Sequence, residues 1–358
     1  MFAQNNKTVV MKSYVFPGDI EQDIRQIAAQ EIPYMRTADF SALVKECEQM
    51  LLSLIGCRGG RVIPFTASGT GAMDAIVNNY VTTLGGTALV IVGGSFGKRW
   101  KNLCDYYGVE NNAFEVPFAK DIDYAALEQR VIEVSPSVLL CQHHETSTGE
   151  LFDIQKISDI CRRHGVRLVT DVISSFLADP VDMDALGIDI CVTSSQKGLN
   201  IAPGLSFAII SSSLNDYKFD HKGFYFDFEE NLKNLTRGQT PYSPATTLFM
   251  QLHERLRRDT ALGTEKIIES VRHKALYFRE LCRKNGWEVP CEVPSNCITG
   301  FFVHRNGDLL FTELMKRGIY IMPGGTPHYF RVSHLGLQTD EELDTLAREI
   351  KAIETANY

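Results

Sequence analysis

The chain of 358 residues is long enough for one large domain and a smaller one. Its hydrophobic content of 44% and charged content of 22% are typical of a globular protein. The formal net charge of −8 argues against nucleic acid or an anionic membrane as the main partner, whereas an anionic small substrate responds only to the local field.

The nine cysteines predict reduced, buried thiols in a cytoplasmic protein. Their number is odd and no two form a C-x-x-C pair, so neither a disulfide framework nor a zinc site is expected. The N-terminus shows no apolar core of signal-peptide length, and no apolar run approaches the roughly 18–20 residues of a membrane span. The cysteines are Cys47, Cys57, Cys104, Cys141, Cys161, Cys191, Cys282, Cys291 and Cys297.

The first third of the chain predicts two amphipathic helices and then a possible phosphate site. Apolar side chains recur at three- and four-residue spacing over 19–31 and 39–56. A strand at 61–66 then leads through the turn Ser68-Gly69-Thr70 into a helix at 72–81. Such a turn offers backbone N–H groups and a helix N-terminus to a phosphate. The alternative is an ordinary turn in which Ser or Thr caps the helix.

Strands and helices then alternate, as in a parallel sheet covered on both faces. The strand at 87–92 ends in the glycine-rich stretch 93–97, where Phe96 is placed to stack on a flat ring or to pack in the core. A strand at 205–211 is predicted to run antiparallel to its neighbour. The other predicted elements are helices at 100–107, 124–134 and 154–165, and strands at 112–117, 138–142, 166–171 and 188–193.

Polar or aromatic side chains repeatedly follow the C-terminal ends of these apolar strands. In open α/β sheets that edge binds ligands, so the sequence predicts a site there. The adjacent His143 and His144 face opposite ways in an extended chain and do not predict a metal pair. A lysine at a buried edge loses proton affinity and becomes a nucleophile, although a surface lysine is the alternative. The residues at the edge are Ser68, Phe96, Thr146, Asp171 and Lys197.

The C-terminal third departs from this alternation. Residues 219–246 are aromatic and rich in turns, and so long a loop is usually functional or part of an interface. Two helices and a separate α+β unit follow. We therefore predict an N-terminal segment at 1–20, a large domain at 21–260 and a small domain at 261–358. The predicted elements are helices at 247–259, 264–284, 308–317 and 340–355, and strands at 298–303, 320–321 and 329–333.

Taken together, the groups at the sheet edge suit pyridoxal phosphate. Lys197 would form a Schiff base with the cofactor, and Asp171 would keep the pyridine nitrogen protonated, so that the ring accepts electrons from the substrate. The turn at 68–70 would hold the phosphate. Once displaced by substrate, Lys197 would act as the general base that moves the Cα proton.

Six motifs in order give the chain a resemblance to the class V aminotransferases of fold type I, nearest to the alanine–glyoxylate (serine–pyruvate) and 2-aminoethylphosphonate–pyruvate aminotransferases. The motifs are SGTGA at 68–72, GGSFGKR at 93–99, HETSTG at 144–149, TDVISS at 170–175, SSQKGL at 194–199 and FRVSHLG at 330–336. This resemblance implies a mostly parallel seven-stranded sheet with helices on both faces and a smaller α+β domain. It implies ping-pong transfer of an amino group from alanine, serine or 2-aminoethylphosphonate to pyruvate or glyoxylate, in a homodimer with its active sites at the interface.

The resemblance also implies a role for each matching residue. Asp171 would bind the ring nitrogen, Lys197 would form the Schiff base, and Arg331 would clamp the substrate carboxylate as a planar bidentate partner. The alternative for Arg331 is an arginine on a surface strand. Further cofactor contacts are implied for Ser68, Gly69, Thr70 and Gln196 at the phosphate, Phe96 and Ile173 on the two ring faces, Thr146 near the 3-hydroxyl group, and Gln239, Thr240 and Tyr242 at the partner subunit's phosphate.

The N-terminal turn departs from the family pattern. Relatives often have G-P-G-P or T-P-G-P at the substrate entrance, whereas this chain has Phe16-Pro17-Gly18-Asp19. Tyr34 and Arg36 follow and are predicted to face the active site. If Arg36 reaches the pocket, a dianionic substrate such as a phosphonate is favoured; the alternative is that it pairs with a nearby carboxylate.

Three other functions are weighed against the transaminase. A cysteine desulfurase or selenocysteine lyase of this fold needs a mobile-loop cysteine, for which Cys297 is the candidate, but its context indicates the start of a strand. Those relatives commonly place a histidine immediately before the lysine, where this chain has Gln196. A lyase of the same cofactor class remains an alternative. A non-catalytic binding protein would have lost Lys197 or Asp171.

Overall fold

The computed structural model describes residues 12–220 and 223–357. In these two ranges, strands alternate with helices as far as the tenth strand, and helices predominate afterwards. In chain order the elements are β1 (Lys12–Ser13), α1 (Gln22–Ile27), α2 (Ala38–Ile55), β2 (Arg61–Phe65), α3 (Gly69–Ile76), α4 (Thr82–Leu84), β3 (Ala88–Val92), α5 (Ser95–Tyr107), β4 (Asn111–Glu115), α6 (Tyr124–Val134), β5 (Val138–Gln142), β6 (His144–Glu145), β7 (Glu150–Leu151), α7 (Ile154–His164), β8 (Arg167–Asp171), α8 (Met183–Leu186), β9 (Ile190–Ser194), β10 (Ser206–Ile210), α9 (Phe228–Leu235), α10 (Thr246–Leu262), α11 (Thr264–Asn285), β11 (Ile298–Phe302), α12 (Gly307–Lys316), β12 (Ile319–Tyr320), β13 (Met322–Pro323), β14 (Tyr329–Ser333) and α13 (Asp340–Thr355).

The central sheet has seven strands in the order β2-β10-β9-β8-β5-β3-β4. β10 runs antiparallel to both of its neighbours, and the other strand pairs of this sheet are parallel. Every residue of β3, β5, β9 and β10 is buried, because helices cover both faces. The predicted α/β architecture, with its antiparallel strand at 205–211, is confirmed.

The loop after β9 is shaped so that Lys197 stays at the sheet edge. Ser195 Oγ donates to Ala202 O at 2.8 Å and accepts from the backbone N–H of Leu205 at 3.2 Å, which closes the loop on itself. Gly198 follows the lysine, and a Cβ there would lie 2.0 Å from the carbonyl oxygen of Phe176. Since no side chain fits in that gap, glycine allows the backbone next to Lys197 to pack against the core.

Two large apolar clusters lie on either side of the predicted domain boundary. The larger one surrounds the central sheet. The second joins helices α11, α12 and α13 to β11 and β14, and it includes Tyr14. β1 pairs in parallel with β12, so the first described residues pack with the C-terminal part. The boundaries at 20 and 260 stay a prediction, and residues 1–11 of the predicted N-terminal segment lie outside the described residues.

Several elements differ from the sequence prediction, two of them considerably. Helix α5 begins at Ser95 instead of residue 100, because the Glu145 carboxylate accepts the backbone N–H groups of Phe96 and Gly97 at 3.3 and 3.1 Å. These N–H groups would otherwise lack partners at a helix start. The region 219–246, predicted to be irregular, contains helix α9, whose first turn is capped by Asp227.

No helix in the described ranges combines the length and apolar character needed to cross a membrane.

Candidate active site

Lys197 and Asp171 form the centre of the candidate site. Lys197 is 8% exposed, and burial lowers the pKa of its amine to about 8. Burial raises the pKa of the Asp171 carboxyl to about 7. The hydrogen bond from the backbone N–H of Ile173 at 2.8 Å and the charge of Lys197 lower this pKa and so oppose the effect of burial. Shifted pKa values are frequent at catalytic sites, and these two groups also lie at the edge of the sheet where α/β folds bind their ligands.

The turn at 68–70 packs closely against the strand ends that carry these two groups. Ser68 occupies the N-cap position of α3 in an extended conformation, and its side chain makes no capping hydrogen bond. A Cβ on Gly69 would lie 2.5 Å from Cδ1 of Ile173 and 3.7 Å from Cβ of Ser194. Gln196 Oε1 is buried without a partner among the described residues. The turn thus leaves polar groups free for an anionic ligand.

Arg99 connects the turn to Phe96 and was missed by the sequence prediction. Its guanidinium donates to Thr70 Oγ1 at 2.9 Å and lies over the Phe96 ring, 4.7 Å from the centroid. Its charge also opposes protonation of Lys197 and favours ionisation of Asp171. Phe96 and Arg99 are three residues apart on α5, so this contact follows from the earlier start of that helix.

Thr146 and Arg331 meet on the other side of the site. Thr146 Oγ1 shares a 2.6 Å hydrogen bond with Ser174 Oγ. Arg331, on β14, donates to the carbonyl oxygens of Thr146 at 2.6 Å and Pro323 at 2.7 Å. No described carboxylate forms an ion pair with Arg331, and its Nε has no partner in the same ranges. Arg331 is therefore a partly buried cation with further N–H donors available.

His144 lies in the same region; it is the first residue of the HETSTG motif, but the sequence analysis assigned no role to it. It is buried, and neither ring nitrogen has a hydrogen-bond partner in the described part of the chain. Burial lowers the pKa of the imidazole well below its usual value, and the positive charges of Lys197 and Arg331 lower it further. A neutral imidazole next to these two cations can donate one hydrogen bond and accept another.

Phe16 and Cys297 lie next to the lysine. The amine of Lys197 is 3.4 Å from the centroid of the Phe16 ring. Cys297 is fully buried immediately before β11, and burial raises the pKa of its thiol, although the charge of Lys197 opposes this shift. Cys297 thus stands at the start of a strand, as predicted. A buried, protonated thiol cannot serve as the exposed nucleophile that a desulfurase carries on a mobile loop.

Four predicted residues lie away from this centre. The Tyr34 side chain is 66% exposed. Arg36 donates to the Thr240 carbonyl at 2.8 Å and to Gln239 Oε1 at 3.1 Å, rather than to the carboxylate of the alternative. Thr240 Oγ1 in turn donates to the Tyr242 carbonyl at 2.7 Å. Hydrogen bonds and ion pairs among residues 12–220 and 223–357 join none of these side chains to Lys197 or Asp171.

A protein-family model matches most of the chain. The model described as "Aminotransferase class-V" matches residues 29–280, which is well over half of the chain.

Individual proteins resemble this chain over most of its length. "Soluble hydrogenase, small subunit" of Synechococcus sp. (strain PCC 6716) is 29% identical over 307 residues, which cover 82% of this chain and 79% of that protein. 2-Aminoethylphosphonate–pyruvate transaminase of Pseudomonas putida (strain W619) is 29% identical over 247 residues, 67% of this chain and 66% of that protein. The crystal structure of alanine–glyoxylate aminotransferase from Nostoc sp. superposes with a TM-score of 0.89 at 21% identity, over 98% of this chain and 97% of that chain.

Proposed function

Because the chain belongs to the class V aminotransferase family, we propose that it is a pyridoxal phosphate-dependent transaminase acting on small substrates. The observation that carries this proposal is the buried Lys197–Asp171 pair at the ligand-binding edge of the sheet. We propose alanine, serine or 2-aminoethylphosphonate as the donor and pyruvate or glyoxylate as the acceptor. The transaminase of Pseudomonas putida and the aminotransferase of Nostoc sp. each carry a donor and an acceptor from these sets in their names.

The residues at the site fit this cofactor. The turn Ser68-Gly69-Thr70 and the unpartnered Gln196 Oε1 would hold its phosphate, because the Ser68 side chain is not used for capping. Further contacts would come from Phe96 and Ile173 on the two ring faces and from Thr146 near the 3-hydroxyl group. When bound, pyridoxal phosphate supplies an electron sink for charge that develops on the substrate carbon.

Lys197 and Asp171 would act on protons and charge. With a pKa of about 8, the Lys197 amine is unprotonated in an appreciable fraction of molecules near neutral pH, as a nucleophile and a general base require. Lys197 would hold the cofactor and then carry the proton that leaves the substrate carbon. Asp171 would place its carboxylate against the ring nitrogen and hold a proton there.

Arg331 would bind the acid group of the substrate. Two of its N–H donors are taken by main-chain carbonyls, which fix the guanidinium while leaving other donors free. A planar guanidinium suits both a carboxylate and a phosphonate.

The proposal is tested by the visible absorbance of the protein purified with pyridoxal phosphate. We expect the absorbance of the bound cofactor to bleach when L-alanine or 2-aminoethylphosphonate is added, and to return on addition of pyruvate or glyoxylate. A protein that binds no cofactor, or whose absorbance no amino donor changes, would contradict the transaminase proposal.

The desulfurase alternative makes a different prediction, which can be tested with the same purified protein. It requires sulfide release from L-cysteine through an accessible thiolate, whereas Cys297 is fully buried and protonated. We therefore expect no release of sulfide above that of a Cys297→Ala variant.

We further propose that the protein is a cytoplasmic homodimer with active sites at the interface. Exposed aromatic rings surround the loop that Arg36 binds: Phe224 is 81% exposed, and Tyr225 stacks on Tyr242 with centroids 5.3 Å apart. An apolar patch of this kind next to polar groups is typical of a protein interface. Thr240, Tyr242, Tyr34 and Arg36 would then serve the partner subunit's site.

A charge in this patch is expected to dissociate the dimer. Phe224→Asp would place a carboxylate in the interface and should give monomers and reduced transaminase activity, because burying an unpaired charge is costly. Tyr106 is a matched control, since it is 80% exposed on α5. Sedimentation equilibrium of both variants checks this: a dimeric, fully active Phe224→Asp protein, or equal dissociation by Tyr106→Asp, would refute the assignment of this face. Fractionation of the source cells would test the cytoplasmic location.

A further inference from the structure

The ring of Phe16 takes up space directly beside the reactive amine. Nζ of Lys197 is 3.4 Å from the ring centroid. In the proposed reaction the amino-bearing carbon of the substrate must come close to this amine. Whatever side chain that carbon carries must therefore share the space around Lys197 with the Phe16 ring.

Contacts on both sides hold Phe16 in this position. Ser13 Oγ donates to the Pro17 carbonyl at 2.9 Å, which closes the backbone turn that carries Phe16. A Cβ on Gly18 would lie 2.1 Å from the carbonyl oxygen of Leu335, so the backbone packs tightly against the C-terminal part. The backbone that carries the ring is therefore fixed by close packing, and moving it to admit a large ligand would cost packing energy. The ring also packs against a buried cluster formed by Ala178, Val271, Cys297, Ile298 and Leu335.

The positive charges near Lys197 can bind one acid group of the substrate. Arg331 is held by two carbonyls and forms no ion pair with a described carboxylate. Arg99 also acts on Lys197, but its guanidinium is engaged with Thr70 at the phosphate turn. His144 is neutral, because burial and neighbouring cations lower its pKa. Of the two arginines whose charge acts on Lys197, Arg331 is thus the one that is not engaged at the phosphate turn.

We propose that Phe16 is a specificity-determining residue, and that the site accepts donors with one acid group and a side chain of alanine or serine size. This inference rests on the proposed transaminase function. 2-Aminoethylphosphonate has no branch on its amino-bearing carbon, so the Phe16 ring would not exclude it, and its one acid group, which carries up to two charges, would have to be bound by Arg331 without Arg36. A branched or aromatic side chain would overlap the ring, and a dicarboxylate would leave one charge without a partner.

The test compares donors in wild type, Phe16→Ala and Val271→Ala. Val271 belongs to the cluster that Phe16 packs against, so its truncation loosens the same packing without removing the ring over Lys197. We expect kcat/KM of wild type for L-leucine to be about 100-fold lower than for L-alanine. Phe16→Ala should narrow this ratio by about 10-fold or more, and Val271→Ala should leave it unchanged. L-Aspartate should stay a poor donor in all three proteins.

Further measurements separate specificity from folding. Phe16→Leu keeps an apolar side chain in the cluster, so it should fold and give an intermediate ratio even if Phe16→Ala does not. A readout without turnover is calorimetry: the affinity for 4-methylpentanoate relative to propionate should rise in the Phe16 variants.

Equal kcat/KM for leucine and alanine in wild type, or an unchanged leucine-to-alanine ratio in both folded Phe16 variants, would overturn the role of Phe16. Efficient use of aspartate would overturn the single-acid limit. If instead no donor bleaches the cofactor in any of these proteins, the transaminase proposal itself has failed.

Discussion

Replacement of Lys197 by alanine is expected to abolish transamination and covalent retention of the cofactor. Lys197 supplies both the amine that would hold pyridoxal phosphate and the base that would move the substrate proton. Loss of a positioned general base alone costs up to roughly 10⁴-fold, so kcat should fall by at least about that factor. The measurement is turnover with L-alanine, together with peptide mass spectrometry after borohydride reduction of the protein loaded with cofactor.

The chain contains a matched control for this experiment. Lys274, on α11, is also 8% exposed, and burial likewise lowers its pKa to about 8. Its amine donates to the carbonyl oxygen of Gly336 at 2.8 Å. Reduction should attach the cofactor to the peptide with Lys197 and leave the peptide with Lys274 unmodified. Labelling of Lys274, or normal turnover by Lys197→Ala, would show that Lys197 is not the reactive lysine and that its burial alone had suggested this role.

Most of the fold was predictable because burial leaves a clear pattern in the sequence. The five strands that lead to Ser68, Phe96, Thr146, Asp171 and Lys197 carry mostly apolar side chains, as strands covered on both faces do. The structure places all five of them in the central sheet. The start of α5 was misplaced because the group that satisfies its first N–H donors is Glu145, about fifty residues further along the chain. A contact of that sequence separation has no local signal.

Some residues of the candidate site could be predicted from the local sequence, and others could not. Asp171 and Lys197 were predictable, because a charged residue after a buried strand is conspicuous. Arg99 and His144 were not predicted, since their importance depends on which side chains fold against them. His144 stands next to His143 in sequence, and only the structure distinguishes the one that meets Lys197 and Arg331. Whether a loop residue such as Tyr242 serves its own site or that of a partner depends on packing between chains, which local sequence does not encode.

Replacement of Asp171 by asparagine should give opposite effects on activity and on stability. The amide still accepts the backbone N–H of Ile173, which Asp171 Oδ1 binds at 2.8 Å. It carries no charge, however, and cannot hold a proton on the ring nitrogen of the cofactor. Removal of one preorganised electrostatic partner costs about 10²–10³-fold in kcat, and we expect a loss of at least that size.

The cofactor-free chain should instead be stabilised by this substitution above neutral pH. Folding raises the pKa of the Asp171 carboxyl from 3.8 to about 7, so the folded chain binds a proton more tightly than the unfolded chain. Wild type should therefore lose stability as pH rises from about 4 to 7, with no further loss from this group at higher pH. Since a tenfold difference in proton affinity between the folded and unfolded chains corresponds to about 1.4 kcal/mol, Asp171→Asn removes a penalty of a few kcal/mol.

Urea unfolding of both cofactor-free proteins between pH 4 and pH 9 measures this difference. The two proteins should be about equally stable at the acid end, and Asp171→Asn should be the more stable above pH 7. A functional carboxylate that is costly to bury is expected to behave in this way, because active sites retain groups that the fold alone would not favour. A structural carboxylate would give the reverse result, since its removal would lower stability at high pH. Loss of stability at pH 9 together with normal kcat would therefore remove Asp171 from the active site.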